Sequence, residues 1–278
     1  MTAPDPSAPI WPTTRRVTIR DLQTATDRGE KWAMLTSYDA LTAGVFEEAG
    51  VRALLVGDTA GMVVLGHETT VPTRLDDLLP LAAAVVRGTR TALVVGDLPF
   101  GTYHASPQQA LDSATRYLKE GGVQAIKLEG GRAVLPQVRA LVAAGIPVMG
   151  HLGLTPQAVH QLSGLRRVQG RGEAGDVLLE EARELEAAGV FALVLEAVPA
   201  ELGQRVSEAL RIPTVGIGAG AGTDAQILVW QDMAGLTGAP VPRFVKRYAQ
   251  LRAVLGEAAA AYVKDVAGGA YPDPSHSY

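Results

Sequence analysis

Residues 120–129 read EGGVQAIKLE, a helix-ending glycine pair followed within three residues by an apolar strand that carries a lysine and closes on a glutamate. Glycine accepts the left-handed backbone at which helices end. The same phrase recurs along the chain. Glu48-Ala49-Gly50 leads into Ala53-Leu54-Leu55-Val56-Gly57-Asp58, and Ala143-Ala144-Gly145 into Ile146-Pro147-Val148-Met149-Gly150-His151. Ala187-Ala188-Gly189 leads into Phe191-Ala192-Leu193-Val194-Leu195-Glu196. Strands that are apolar at successive positions are buried on both faces, as in a parallel sheet covered by helices.

Working outward, further strands read at Met34–Ser37, Ala92–Gly96, Thr214–Ile217 and around Gly235–Thr237, making eight strand segments with helical patterns between them. That count in 278 residues predicts an α/β fold, a (β/α)8 TIM barrel, rather than an open doubly wound sheet. No Gly-x-Gly-x-x-Gly stands at the first strand–helix turn, which argues against a dinucleotide domain. One helix start is explicit: Ser106 as N-cap, Pro107 at the first helical position and Gln109 as the reciprocal cap. Residues 1–278 read as one barrel domain, with a flexible Pro- and Ser-rich start over 1–14. A C-terminal tail over 241–278 follows, helical across Val241 to Lys264.

Hydrophobic residues make up 47% of the chain, enough for a large core, and there is no cysteine. A disulfide framework, a thiolate metal site and a cysteine nucleophile are therefore excluded, so any metal takes oxygen or imidazole ligands. The net charge of −4 is well interspersed and leaves no footprint for nucleic acid. The start has no apolar signal core, and the longest apolar runs are strand-length, so the expectation is a cytoplasmic protein with no membrane partner.

In such a barrel, catalytic groups sit where strands finish. Here the strand ends carry Asp39, Asp58 with Thr59, Asp97, Lys127 with Glu129, His151 and Glu196. One charged strand end is commonplace, as a solvated or helix-capping group; five consecutive ones point to a shared site. Asp58 and Asp97, each after a glycine, with Glu129 from the next strand, form a hard-oxygen cluster that repels itself unless a cation or protons compensate. That donor set suits Mg²⁺ with positions open to substrate oxygens. Lys127 shares a strand face with Glu129. It can form a Schiff base, steady an anion, or pair internally with Glu129 or Asp97, and acidic neighbours favour the charged roles. Glu196, at the end of an apolar strand, suits a general base. His151 can be ligand, acid, donor or structural. The glycine-rich run Gly216–Gly222 suits either backbone binding of phosphate or close packing, and His67 lies on a long loop after the second strand.

Taken together these residues resemble the ketopantoate hydroxymethyltransferase family. The matching stretches include MLTSYD (34–39), LLVGDTAGMVVLGHETTVP (54–72), VVGDLPFGTY (94–103), KLEGG (127–131), GHLGLTPQ (150–157), LVLEAVP (193–199), IPTVGIGAG (212–220) and TDAQILV (223–229). They run collinearly from about Val17 to Tyr271. The resemblance implies metal ligands at Asp58 and Asp97, with Glu129 reaching the metal directly or through water. It implies that Thr59, in place of the usual Ser, contacts the substrate carboxylate, that Lys127 binds substrate, that Glu196 is the base and that His151 belongs to the active site. Two further departures are Leu165 with Arg166, and Ala225 with Gln231. Also implied are Mg²⁺ as cofactor, 5,10-methylenetetrahydrofolate as co-substrate, 3-methyl-2-oxobutanoate as acceptor and a homo-oligomer, commonly a decamer. A Mg²⁺-dependent lyase or mutase of the phosphoenolpyruvate/isocitrate-lyase type, a Schiff-base aldolase and a non-catalytic binding barrel are the competing readings.

Overall fold

In the computed structural model, which describes residues 10–164, 167–238 and 241–278, eight parallel strands close into a barrel in chain order. They are β1 Trp32–Thr36, β2 Ala53–Val56, β3 Leu93–Asp97, β4 Ala125–Lys127, β5 Val148–Gly153, β6 Ala192–Glu196, β7 Thr214–Ile217 and β8 Ala225–Leu228. The helices are α1 Ile19–Asp27, α2 Ala40–Glu48, α3 Ala60–Val63, α4 Leu75–Gly88, α5 Pro107–Arg116, α6 Leu135–Ala143, α7 Glu173–Ala187, α8 Ala200–Ala209, α9 Trp230–Met233 and α10 Leu251–Ala267.

Alternation along each strand sorts the barrel interior. Trp32, Met34, Leu55, Leu93, Val95, Ala125, Met149, Ala192, Val194, Val215 and Ile227 form one apolar cluster. Continuing by twos, Asp97 follows Val95, Lys127 follows Ala125, His151 follows Met149 and Glu196 follows Val194, so these charged groups face the same interior one layer higher. Below the apolar layers, α1 and the chain leading to it close the barrel, with Val17, Leu22 and Ala25 buried in the cluster and Ile10 and Trp11 packed against it. α1 is held by a capping box between Thr18 and Asp21. Of the segment expected to be flexible, residues 1–9 lie outside the described ones.

Three expectations need correction. The eighth strand is Ala225–Leu228, not Gly235–Thr237. It was hidden because β8 alternates, with Gln226 exposed between buried Ala225 and Ile227, and because among the described residues no helix separates it from β7. The reciprocal cap of Gln109 lands one residue early: Ser106 Oγ accepts from Gln109 N (3.1 Å), but Gln109 Oε1 accepts from Ala105 N (2.9 Å). The tail helix starts at Leu251, ten residues later than the pattern suggested, and none of its residues is buried.

The barrel unit ends at Leu228, and Val229–Tyr278 forms a second compact unit. Within that second unit, the chain entering α10 returns to the end of α9 through Tyr248 N to Met233 O (2.8 Å) and Leu251 N to Ala234 O (2.9 Å). Among the described residues no helix is long and apolar enough to cross a membrane.

Candidate active site

Five side chains, Asp58, Asp97, Lys127, Glu129 and His151, converge at the C-terminal mouth of the barrel, each no more than 4% exposed. Register brings the first pair together, since Asp97 and Lys127 are partners across β3 and β4, and Lys127 Nζ lies 2.9 Å from Asp97 Oδ1. The same ammonium stands 3.8 Å from Glu129 Oε1 and 3.3 Å from His151 Nδ1. His151 Nε2 then faces Glu196 Oε2 at 3.4 Å, longer than an ordinary hydrogen bond. Asp58 joins through its backbone, donating N–H to Asp97 Oδ2 (3.2 Å). Glu196 differs from the rest: its side chain keeps 16% of its surface exposed, so the cluster meets solvent there.

The Gly96-Asp97 pair has a local cause. A Cβ at Gly96 would come 2.6 Å from the Tyr117 ring; with glycine there the ring has room, and Tyr117 hydroxyl donates to the Asp97 carbonyl (2.8 Å). Tyr117 opens a π-helical turn, Tyr117–Gly121, at the end of α5; such widened turns recur at functional sites. Beside Glu196, Ala197 holds φ +48°, a left-handed conformation that strains any residue with a Cβ. Its N–H donates to Ile217 O and its carbonyl accepts from Gln169 N, both at 2.8 Å.

Burial governs the protonation of the cluster. It raises Asp58 to about 7, aided by the nearby charge of Asp97 and opposed by Lys127. It lifts Glu129 well above the carboxylate range and Glu196 to about 7, with Lys127 opposing. Burial alone would lower Lys127, yet Asp97, Glu129 and Asp58 more than offset it and hold the ammonium above its ordinary range. His151 falls well below its usual value, through burial first and the Lys127 charge second, so its imidazole is neutral. A lysine held this firmly as a cation is a poor Schiff-base nucleophile.

Other expected residues fall elsewhere. Asp39 caps α2, accepting from Thr42 N (2.8 Å), so the first strand end is a helix cap. Thr59 is half-buried at the start of α3, where its hydroxyl caps nothing. His67 sits between α3 and α4 with its N–H on Gly61 O. The glycine run after β7 serves close packing, since a Cβ at Gly220 would come 2.6 Å from Ala200 Cβ on α8. Of the two departures, Ala225 is buried at the foot of the barrel and Gln231 lies in α9, whereas Leu165 and Arg166 lie outside the described residues.

Two residues escaped the sequence reading. Gln157 Nε2 donates to Asp58 Oδ2 (2.9 Å), and its backbone N–H donates to Glu129 Oε2 (3.0 Å). Tyr103 hydroxyl donates to Gln157 Oε1 (2.8 Å). Both lie in stretches already singled out, but a neutral polar side chain gives no charge to notice.

Among the described residues no three His, Asp or Glu groups are arranged to hold a metal by themselves. The donor set nevertheless fits a divalent cation. Asp58 and Asp97 are adjacent buried carboxylates, and Asp97 Oδ1 is met by the Lys127 ammonium alone (2.9 Å). With Glu129 nearby, substrate oxygens and water would complete the shell, as Mg²⁺ commonly requires.

A closed barrel with ionisable groups paving its C-terminal mouth defines a barrel enzyme of acid–base chemistry. Solved structures agree on the fold alone: phosphonopyruvate hydrolase, solved with oxalate and Mg++, superposes with TM-score 0.60 at 13% identity over 93% of this chain and 92% of that one. A 2,3-dimethylmalate lyase of the phosphoenolpyruvate mutase/isocitrate lyase superfamily gives 0.57 at 16%, over 92% of each chain. A family model described as ketopantoate hydroxymethyltransferase matches residues 16–274. The 3-methyl-2-oxobutanoate hydroxymethyltransferase of Frankia casuarinae is 62% identical over 98% of this chain and 92% of its own length. That of Thermobifida fusca is 60% identical over 95% and 94%. The chain belongs to the ketopantoate hydroxymethyltransferase family, and it is an enzyme of that class.

Proposed function

We propose that the chain transfers a hydroxymethyl group from 5,10-methylenetetrahydrofolate to 3-methyl-2-oxobutanoate, giving 2-dehydropantoate on the route to pantothenate and coenzyme A. The observation that carries this reading is a firmly charged Lys127 facing one side of the His151 ring while Glu196, largely buried and with its carboxyl pushed up to about 7, faces the other. That pair suits removal of a proton beside a carbonyl and stabilisation of the anion so formed.

Asp58 and Asp97 would hold Mg²⁺, with Glu129 direct or through water, and Thr59 would meet the substrate carboxylate. When bound, the ion supplies Lewis acidity to the oxygens of the 2-oxo acid. Glu196 takes the C3 proton, and the C–H electron pair passes into the enolate. Lys127 offsets the charge that develops on the enolate oxygen. His151 orients the base: the Lys127 ammonium faces Nδ1, which leaves the neutral ring its proton on Nε2, toward Glu196. C3 then bonds to the methylene carbon as both of its bonds to the folate nitrogens break; water supplies the hydroxyl oxygen, and one water proton with the proton taken by Glu196 ends on the two nitrogens of the departing tetrahydrofolate. The family resemblance supports a homodecamer, and the sequence reading a cytoplasmic one.

Proton NMR of 3-methyl-2-oxobutanoate in D₂O with Mg²⁺ tests the proposal. The C3 signal should disappear, and hydroxymethyl product should form once methylenetetrahydrofolate is added, with EDTA stopping both. Folded protein that does neither removes the assignment. Exchange without product keeps the proton-abstracting site and moves the reaction to another acceptor.

A further inference from the structure

Gln157 directs a side-chain and a backbone donor at two carboxylates of the reaction centre. Its amide nitrogen has two protons: one goes to Asp58 Oδ2 (2.9 Å) and the other to the Leu98 carbonyl (2.9 Å). Its amide oxygen accepts from Tyr103 (2.8 Å), and its backbone N–H serves Glu129 Oε2 (3.0 Å). Turning the amide over would set its oxygen against the Leu98 carbonyl, which has no proton to give. The hydroxyl that locks it is itself locked. Tyr103 is fully buried, its hydroxyl oxygen accepts from Glu129 N (3.2 Å) and also lies 3.0 Å from the Glu129 carbonyl, and its own carbonyl accepts from Gln137 Nε2 (3.2 Å).

We propose that Gln157, locked by Tyr103, is a positioning residue that sets the distance and orientation between the Asp58 and Glu129 carboxylates. These two groups come from different strand ends, β2 and β4, and share no direct bond; the single residue Gln157 reaches both. Its donors hold the acidic groups as acceptors at fixed places, so the carboxylates meet a cation and substrate preorganised. Residues that orient ligands in this way typically contribute about 10- to 100-fold in metal affinity or activity. The inference rests on reading the carboxylates as the reaction centre.

The test uses full-length Gln157→Met, Gln157→Glu, Tyr103→Phe and the Gln157→Met/Tyr103→Phe double variant. Two readouts are taken: Mg²⁺ affinity by calorimetry without substrate, and kcat and KM for 3-methyl-2-oxobutanoate at saturating Mg²⁺. Gln157→Met keeps the volume and removes the side-chain hydrogen bonds. It should weaken Mg²⁺ and lower kcat by roughly 10-fold or more each, with KM changed far less. Gln157→Glu sets a fourth acidic group against Asp58 and should be worse than Met in kcat. Tyr103→Phe should cost about 3-fold, and the double variant should be no worse than Gln157→Met alone, because both substitutions cut one chain. Wild-type Mg²⁺ affinity and kcat in folded Gln157→Met, whatever its Tm, overturn the proposal, as do additive effects in the double variant. If Gln157→Met does not fold, Tyr103→Phe decides: unchanged kcat and affinity refute it. Absence of hydroxymethyl transfer by the wild type is a separate result, which removes the proposed function, while the Mg²⁺ titrations still judge Gln157.

Discussion

At the N-terminal mouth of the barrel, Val17, Leu22 and Ala25 lie over Trp32, Leu93 and Ala225, an apolar plug with no charged member. At the C-terminal mouth, on the same strands and the same interior face, Asp97, Lys127, His151 and Glu196 replace the aliphatic layers, and Asp58 and Glu129 crowd beside them. The plug stabilises by removing apolar surface from water. The upper layer does the reverse, because a buried charge costs free energy that only a partner offsets. Lys127 balances Asp97, and the remaining acidic groups respond by rising toward protonation. One half of the barrel is built to hold the fold, the other to stay reactive within it.

Changes at the upper mouth should damage chemistry far more than fold. Glu196→Gln should lower C3 exchange about 10²- to 10⁴-fold, the scale of a positioned base, with substrate binding largely retained. In the wild type, kcat/KM should fall about tenfold per pH unit below about 7, where Glu196 protonates. The linkage has the opposite sign for stability. A carboxyl raised to about 7 in the fold binds more protons folded than unfolded between its ordinary value and 7, so its contribution to stability falls as pH rises through that window. Exchange that is flat from pH 5 to 8 would move the base elsewhere, with His151 next. Asp58→Ala should cost at least about 10²-fold in Mg²⁺-dependent turnover; near-normal turnover removes it as a ligand.

The lower mouth should answer in the other currency of measurement. Leu93→Ala, at the foot of β3 and 1% exposed, should cost about 2–5 kcal/mol, read as a Tm lowered by roughly 5–20 °C. Exchange per folded molecule at a permissive temperature should stay within about twofold. A large loss of exchange there would mean that the two mouths are mechanically coupled, and the division drawn above would not hold.

This division also explains what the sequence revealed. Doubly buried strands such as Ala192–Glu196 are legible because four successive buried apolar positions between glycine-ended helices suit a parallel core, and a charged residue ending them stands out by its cost. Where a strand alternates, as β8 does through Gln226, the pattern matches a loop as well, and the strand reads ten residues too late. Asp39 and Asp58 look alike in sequence, each just past an apolar strand. Only the tertiary path shows that the first caps α2 while the second is buried among other acids. Gln157, Tyr103 and Tyr117 act across 99, 54 and 20 residues of separation, and no local period records such bonds.

Backbone strain is the feature furthest from sequence, and Ala197 gives the smallest and sharpest test of the comparison. Its φ of +48° costs on the order of 1–2 kcal/mol for a residue with a Cβ, and it sits directly after the proposed base. Glycine at that position would release the strain, set against a backbone entropy cost of roughly 0.5–1 kcal/mol. Ala197→Gly should therefore raise Tm by roughly 1–4 °C. The same change loosens the turn that aims Glu196 between β6 and the Ile217 carbonyl, so C3 exchange should fall about two- to fivefold, stability and activity moving in opposite directions. A lowered Tm would show that Ala197 is not strained. A raised Tm with unchanged exchange would show that the strain is incidental to the base, and that the upper mouth pays for its charges but not for its backbone.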